Sequence, residues 1–157
     1  MKPNSPSAPD IAAVALAVQR FQRLRASKTT HAILVDAAGV ELTQQSLQLL
    51  VAAQDGQNAS ELGRATHMDA AAVSRELRRL EGEGLIERRP SPHHHAGVIV
   101  HLTEAGRRTR ARITAIREGH LTRALAGWQP ADVAVFAQLL ERFVVDLQAT
   151  PLAPGGR

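Results

Sequence analysis

Apolar residues recur at helical spacing near both ends of the chain. The first stripe predicts a helix over residues 10–26, followed by a connector to residue 41. The last stripe predicts a helix that begins near Pro130, a residue favoured in the first helical turn. Residues 1–9 and 151–157 are rich in Pro, Gly and Ser, and are expected to be disordered tails. The two stripes consist of Ile11, Val14, Val18, Phe21 and Leu24, and of Phe136, Leu139, Leu140, Phe143, Val144 and Leu147.

Four polar residues between these helices mark the starts of further helices. Thr43, Asp69 and Thr103 each stand where a side-chain oxygen can accept the free backbone N–H groups of a first turn. Asn58 and Glu61 have the spacing of a capping box, in which the cap side chain bonds the third residue of the helix. The pattern therefore predicts a helix after each of these four capping positions.

Two short strands complete the predicted organisation. Residues 85–89 and 98–102 form an antiparallel hairpin around a long tip that is rich in proline and histidine. A short helix over 58–66, a tight turn and a second helix over 69–83 precede this hairpin. That order is typical of a winged helix-turn-helix, whose second helix lies in the DNA major groove. The predicted fold class is mainly α with a small β-hairpin wing.

The second of these helices has two chemically different faces. Val73, Leu77 and Leu80 share one face, which we expect to pack on the core. His67 lies in the turn before the helix, and histidine is among the residues that tolerate positive φ. The other face offers small side chains that allow close approach to base edges and arginines that bind guanine or phosphate. The predicted DNA-binding residues here are Ser60, Ala70, Ala71, Ser74, Arg75, Arg78 and Arg79.

The charge distribution favours a polyanionic partner. Of 19 cationic residues all but Lys2 and Lys28 are arginine, and the formal net charge is +4. Residues 74–112 hold nine arginines and five glutamates, so this segment carries the whole surplus. A solvated helix face explains the charge equally well, and the neighbouring hairpin is what favours DNA.

Several classes of protein are disfavoured by the same sequence. The absence of cysteine excludes disulfides and thiolate ligands, and no catalytic motif occurs, so we expect neither an enzyme nor a cofactor. The apolar run at 11–18 continues as an amphipathic helix and does not resemble a leader. No stretch approaches the roughly 18 apolar residues of a membrane span. We therefore expect a cytoplasmic protein without a membrane partner.

Three short motifs stand out in this part of the chain: Val73-Ser74-Arg75, Leu80 followed by Gly84-Leu85-Ile86-Glu87-Arg88, and Leu102-Thr103-Glu104-Ala105-Gly106. Together they resemble the MarR family of bacterial transcription regulators, over about residues 42–148. The resemblance implies a homodimer, joined by its N- and C-terminal helices, that binds a pseudo-palindromic operator on double-stranded DNA. It also implies a repressor that a small organic effector releases. The implied organisation is a tail at 1–9, a dimerisation helix and connector at 10–41, the winged helix-turn-helix at 42–102, dimerisation helices at 103–150 and a tail at 151–157.

The wing departs from the pattern of that family. An Asp-x-Arg pattern usually supplies a minor-groove arginine at the tip, whereas this chain has His94 and Ala96 at those positions. The substitutes expected to contact DNA are Arg88, Arg89, His93, His94 and His95. Two alternatives remain open, a metal-responsive regulator that uses histidines and a dimerisation module that does not bind DNA. Three adjacent histidines rarely converge on one ion, so no metal ligand is assigned.

Overall fold

Seven helices and three short strands make up the part of the chain that the computed structural model describes, residues 7–91 and 97–151. The contacts within the chain divide it into two units, residues 1–116 and residues 117–157. The elements are α1 Ala8–Ala26, α2 Lys28–Ala38, α3 Gln44–Ala52, β1 Gln57–Asn58, α4 Ala59–Thr66, α5 Ala70–Gly82, β2 Ile86–Pro90, β3 Val98–Leu102, α6 Glu104–Ala124 and α7 Pro130–Ala149.

The capping residues begin the helices as predicted. Thr43 Oγ1 accepts the backbone N–H three residues along at 3.0 Å, and Asp69 Oδ1 does so at 2.8 Å. Thr103 Oγ1 accepts the backbone N–H of Gly106 at 3.0 Å. The cap at Asn58 is confirmed, but the capping-box bond to the third helical residue is wrong. Its Oδ1 accepts the N–H of the second residue at 2.9 Å instead.

The predicted connector contains a helix that the sequence patterns did not predict. Helix α2 has Ser27 as its N-terminal cap and ends at Gly39, whose φ of +67° is readily adopted by glycine. A second unpredicted element is β1, a two-residue strand that pairs with β3. The two-strand hairpin is confirmed, and the sheet is antiparallel in the order β1-β3-β2.

One hydrophobic core fills the first unit. Helices α3, α4 and α5 contribute seven of its residues, and β2, β3 and α6 contribute four more. The core residues are Ala38, Leu42, Leu47, Leu49, Leu50, Ala53, Leu62, Val73, Leu77, Leu80, Leu85, Ile86, Val100, Leu102 and Ile113. In the second unit, the rings of Trp128 and Phe136 lie 5.4 Å apart between centroids, at an interplanar angle of 55°.

The motif around Thr103 fixes the start of α6 against the turn between α5 and β2. Thr103 Oγ1 donates to the carbonyl of Gly84 at 2.7 Å, and the Thr103 N–H donates to the carbonyl of Leu85 at 3.1 Å. A Cβ on Gly106 would lie 1.9 Å from the Leu85 carbonyl oxygen, so only glycine fits here. The start of α6 is therefore held against the turn that joins α5 to β2.

Three arginines of the basic segment stabilise the fold. Arg107 Nη1 donates to the carbonyl of Leu102 at 2.8 Å. Arg110 Nη1 donates to the carbonyl of Ala53, at the end of α3, at 2.6 Å. Arg112 Nη1 donates to the carbonyl of Ala38, at the end of α2, at 2.9 Å. The carbonyls of Ala53 and Ala38 lie at helix ends, where a carbonyl has no partner inside its own helix. The charge count over residues 74–112 thus combined structural arginines with those of an exposed face.

Candidate nucleic-acid interface

Helix α5 buries one face and exposes the other, as its periodicity predicts. Val73, Leu77 and Leu80 are only 4%, 2% and 1% exposed. The predicted DNA-binding residues of this helix all lie on its exposed face, and Ser60 is exposed in the first turn of α4. They are Ala70, Ala71, Ser74, Arg75, Arg78 and Arg79. The small side chains stand at the start of the helix and the arginines follow, the order that close approach to base edges requires.

The turn between α4 and α5 sets the position of this exposed face. His67 has a φ of +55°, which confirms the left-handed conformation predicted for it. Gly63 then allows close packing, since a Cβ there would lie 3.1 Å from Val73 Cγ2. The two helices therefore form the tight pair that a helix-turn-helix requires.

The exposed arginines of α5 are held in different ways. Arg75 Nε donates to Glu76 Oε1 at 3.1 Å, and its side chain remains 58% exposed. Arg79 Nε lies 3.8 Å from Glu76 Oε2. Arg78 Nε donates to the backbone carbonyl of Ser74 at 3.2 Å. Two of the three guanidinium groups thus interact with one carboxylate.

That carboxylate, on Glu76, is a residue that sequence reasoning missed. It is buried, and Oε2 accepts hydrogen bonds from Ser46 Oγ at 2.7 Å and Thr43 Oγ1 at 2.9 Å. Burial is the largest influence on the pKa of the Glu76 carboxyl and raises it, but the hydrogen bonds from Ser46 and Thr43 act against burial. Smaller contributions from Arg75 and Arg79 act in the same direction, so the pKa lies below its ordinary value. The carboxylate is therefore ionised at neutral pH.

The two wing arginines interact with glutamates. Arg88 donates to Glu81 Oε2 through Nε at 2.8 Å and through Nη2 at 2.5 Å. The Arg88 hydrogen bond lowers the pKa of the Glu81 carboxyl, against a smaller opposing effect of burial. Arg89 Nη2 donates to Glu87 Oε2 at 2.8 Å, and both of these side chains are exposed. A DNA contact by either arginine stays a prediction.

The histidine tip lies outside the described residues. This applies to His93, His94 and His95 and to Ala96. In residues 7–91 and 97–151, no group of three or more His, Asp or Glu side chains is placed to hold a metal ion. No helix of those two ranges is long and apolar enough to span a membrane.

The model of a known protein family matches part of the chain. Residues 39–97, which run from the residue after α2 to the residue before β3, match the model of the MarR family. Over this segment the chain is similar to the MarR family. Its winged helix-turn-helix is the fold of the solved MarR-family structures, which confirms the fold class predicted from the sequence.

Individual MarR relatives are similar at low sequence identity. A curated regulator of helix-turn-helix type from Bacillus subtilis (strain 168), YdgJ, is 33% identical over 69 residues. That alignment covers 44% of this chain and 42% of the relative, so the match spans less than half of either protein.

Two solved structures extend the likeness over most of the fold. A MarR family protein from Bacillus stearothermophilus has a TM-score of 0.77 at 16% identity, covering 92% of this chain and 99% of that one. The regulator PcaV from Streptomyces coelicolor, in complex with its natural ligand, has a TM-score of 0.60 at 21% identity. Those alignments cover 82% of this chain and 89% of that one.

Proposed function

We propose that this protein is a MarR-family regulator, a cytoplasmic homodimer that binds double-stranded DNA and represses transcription until a small organic effector releases it. The two-faced helix α5 is the observation that carries DNA binding. Its apolar face is buried in the core, so its small residues and arginines are the groups left to meet a ligand. A positively charged helix that follows a tight turn and precedes a wing suits the major groove of B-DNA.

The terminal helices support the homodimer. Helices α1 and α7 have 19 and 20 residues, and neither has a buried residue. Most of the stability of a helix in a protein comes from packing of its apolar face rather than from helix propensity. Exposed apolar side chains on α7 include Val135, Phe136, Leu139, Leu140, Val144, Val145 and Leu147. A second copy of the chain is the partner that we propose for these faces, which would place two recognition helices on a pseudo-palindromic operator.

A pocket beside the recognition helix supports the effector. It has a volume of about 540 Å³, within the usual range of small-molecule sites. Its walls come from the end of α2, the segment that follows, and the turn between α5 and β2; the lining residues are Val35, Asp36, Gly39, Val40, Glu41, Leu42, Glu83 and Leu85. PcaV is a structural relative whose structure contains a natural ligand, which is why we propose that this protein also responds to one.

Selection of bound fragments from a pool of genomic DNA tests the function. The full-length protein is expected to enrich a small number of fragments that share an inverted repeat, with half-sites about one helical turn apart. A variant with Arg75, Arg78 and Arg79 changed to Ala is the matched control and should enrich none. If no fragment is enriched by the wild type, the chain is instead a dimerisation module. Zinc that is retained through purification and needed for enrichment would favour the metal-responsive alternative.

A further inference from the structure

A buried carboxylate lies directly beneath the exposed face of α5. Glu76 is 3% exposed and occupies the same stripe of the helix as Val73, Leu77 and Leu80. Its two oxygens have different partners. Oε2 is bound by the hydroxyl groups of Thr43 and Ser46 at the start of α3, and Oε1 accepts the Nε hydrogen bond of Arg75. The carboxylate thus links the N-terminus of α3 to an arginine on the proposed DNA-binding face.

Stability alone does not require a charged side chain at this position. Burying a charged group is costly unless every polar atom finds a partner. Replacing a buried ionic network by apolar side chains of similar size is often neutral or stabilising. Neighbouring positions of the stripe are apolar, and an apolar residue at position 76 would complete the core without hydroxyl partners. The network therefore points to a role at the surface above it.

The role follows from the geometry of arginine. A hydrogen bond at Nε fixes the plane of the guanidinium group and leaves its two terminal nitrogens for a bidentate contact with guanine O6 and N7. A side chain held in its binding conformation before DNA arrives loses less conformational entropy on binding. Arg79 Nε lies 3.8 Å from the other oxygen of the Glu76 carboxylate and is attracted to the same group. Arg78 differs from these two arginines, because its Nε donates to the backbone carbonyl of Ser74 in the same helix and not to Glu76.

We infer that Glu76 is a positioning residue for sequence-specific DNA recognition, acting by holding Arg75 in place from beneath. Glu76 does not touch DNA. The inference rests on the proposed function, because that function assigns Arg75 to the recognition of DNA bases. Thr43 and Ser46 contribute to this positioning, since their hydroxyl groups bind the Glu76 carboxylate from the start of α3 and favour its ionised form. Operator preference therefore depends on the start of a helix that lies outside the helix-turn-helix.

Two variants of the full-length protein separate positioning from folding. The first is a double variant, Glu76→Leu with Ser46→Ala, which removes the carboxylate and one hydroxyl partner and leaves an apolar contact that keeps the fold. Thr43 stays, because its hydroxyl also caps α3. The second, Glu76→Gln, keeps the shape and retains a neutral acceptor for Arg75. Glu118→Gln is the control, since it removes one exposed acid of α6 and changes the net charge equally.

The measurement is the ratio of affinities for the selected operator and for a scrambled duplex of equal length, at one salt concentration. The double variant is expected to lower this ratio about tenfold, with a smaller loss for Glu76→Gln and less than about twofold for Glu118→Gln. In an Arg75→Ala background the same changes should alter the ratio by less than about twofold, since the arginine they position is gone. Thermal melting checks that each variant is folded, and if one of the two fails to fold, the other decides by the same ratio.

Two results overturn the inference. In the first, the ratio stays at the wild-type value in both variants, whether or not both duplexes lose affinity equally. In the second, the ratio falls by the same factor with and without Arg75. Failure of the proposed function looks different, because the wild type itself would then bind no duplex or bind both alike.

Discussion

Arg88 of strand β2 holds the carboxylate of Glu81, in the last turns of α5, with two guanidinium nitrogens at 2.8 and 2.5 Å. The same carboxylate accepts the backbone N–H of Arg88 at 3.3 Å. The pair fastens the first wing strand to the recognition helix. Wing and helix are consequently expected to approach DNA as one body.

Arg88→Ala should lower the free energy of unfolding by about 1 kcal/mol, because this ion pair is partly buried and has several hydrogen bonds. Arg89→Ala is the matched control in the same strand. Its pair with Glu87 is exposed on both sides, so its loss should change stability by less than about 0.5 kcal/mol. Urea denaturation of the two variants checks the difference, and equal losses would show that Arg88 does not fasten the wing.

Gly106→Ala should be severely destabilising, by several kcal/mol, because its Cβ would overlap the carbonyl of Leu85. Gly119→Ala, in the same helix, is the control. The nearest atom to its Cβ would be the end of the Arg123 side chain at 3.6 Å. The control should therefore gain up to about 1 kcal/mol from helix propensity. If the Gly106→Ala protein has the same melting temperature as the wild type, α6 does not approach the turn closely.

Acid should destabilise the wild type more than a Glu76→Gln variant. The pKa of Glu76 is lowered in the folded protein, so the carboxylate stabilises the fold above the unfolded-state pKa, and this stabilisation is lost as pH falls through the folded-state value. Glu81 titrates in the same direction in both proteins and cancels in the comparison. Chemical denaturation at several values between about pH 7 and about pH 3 measures the difference in unfolding free energy. Curves that stay parallel over this range would contradict the hydrogen-bonded, ionised carboxylate.

Leu139→Glu should dissociate the proposed homodimer. This substitution places a charge on the exposed apolar face of α7, where a second copy would have to bury it without a partner. Gln138→Glu adds the same charge at the neighbouring exposed position and should leave the assembly unchanged. Sedimentation equilibrium gives the mass of each variant. If the Leu139→Glu variant is still a dimer, or if the wild type is a monomer, α7 does not form the proposed interface.

The sequence predicts those features that depend on neighbouring residues. The spacing of Val73, Leu77 and Leu80 gives the buried face of α5, and Asp69 gives its start, because both signals are local. His67 was likewise assigned its left-handed turn from its place before Asp69. The two strands of the wing follow from local patterns in the same way. Family resemblance adds the expectation of a homodimer and of a small organic effector.

Features that depend on distant partners escaped prediction. The neighbours of Glu76 in the sequence do not distinguish it from the other glutamates, because the hydroxyl groups that bind its carboxylate lie about 30 residues earlier in the chain. Arg110 and Arg112 were counted with the DNA-facing charges, although their partners are carbonyls 57 and 74 residues away. A charge count cannot distinguish a guanidinium group that caps a helix from one that faces solvent.

The affinity of Arg75→Ala for operator and scrambled DNA tests the central claim most directly. The selected operator and a scrambled duplex are titrated with wild type, Arg75→Ala and Arg142→Ala at one salt concentration; Arg142 is an exposed arginine of α7 and serves as control. If α5 reads base edges, Arg75→Ala weakens operator binding by about 1–3 kcal/mol and changes scrambled binding much less, while Arg142→Ala changes neither. Equal losses on both duplexes, or no loss on either, would contradict the claim that the exposed face of α5 recognises sequence.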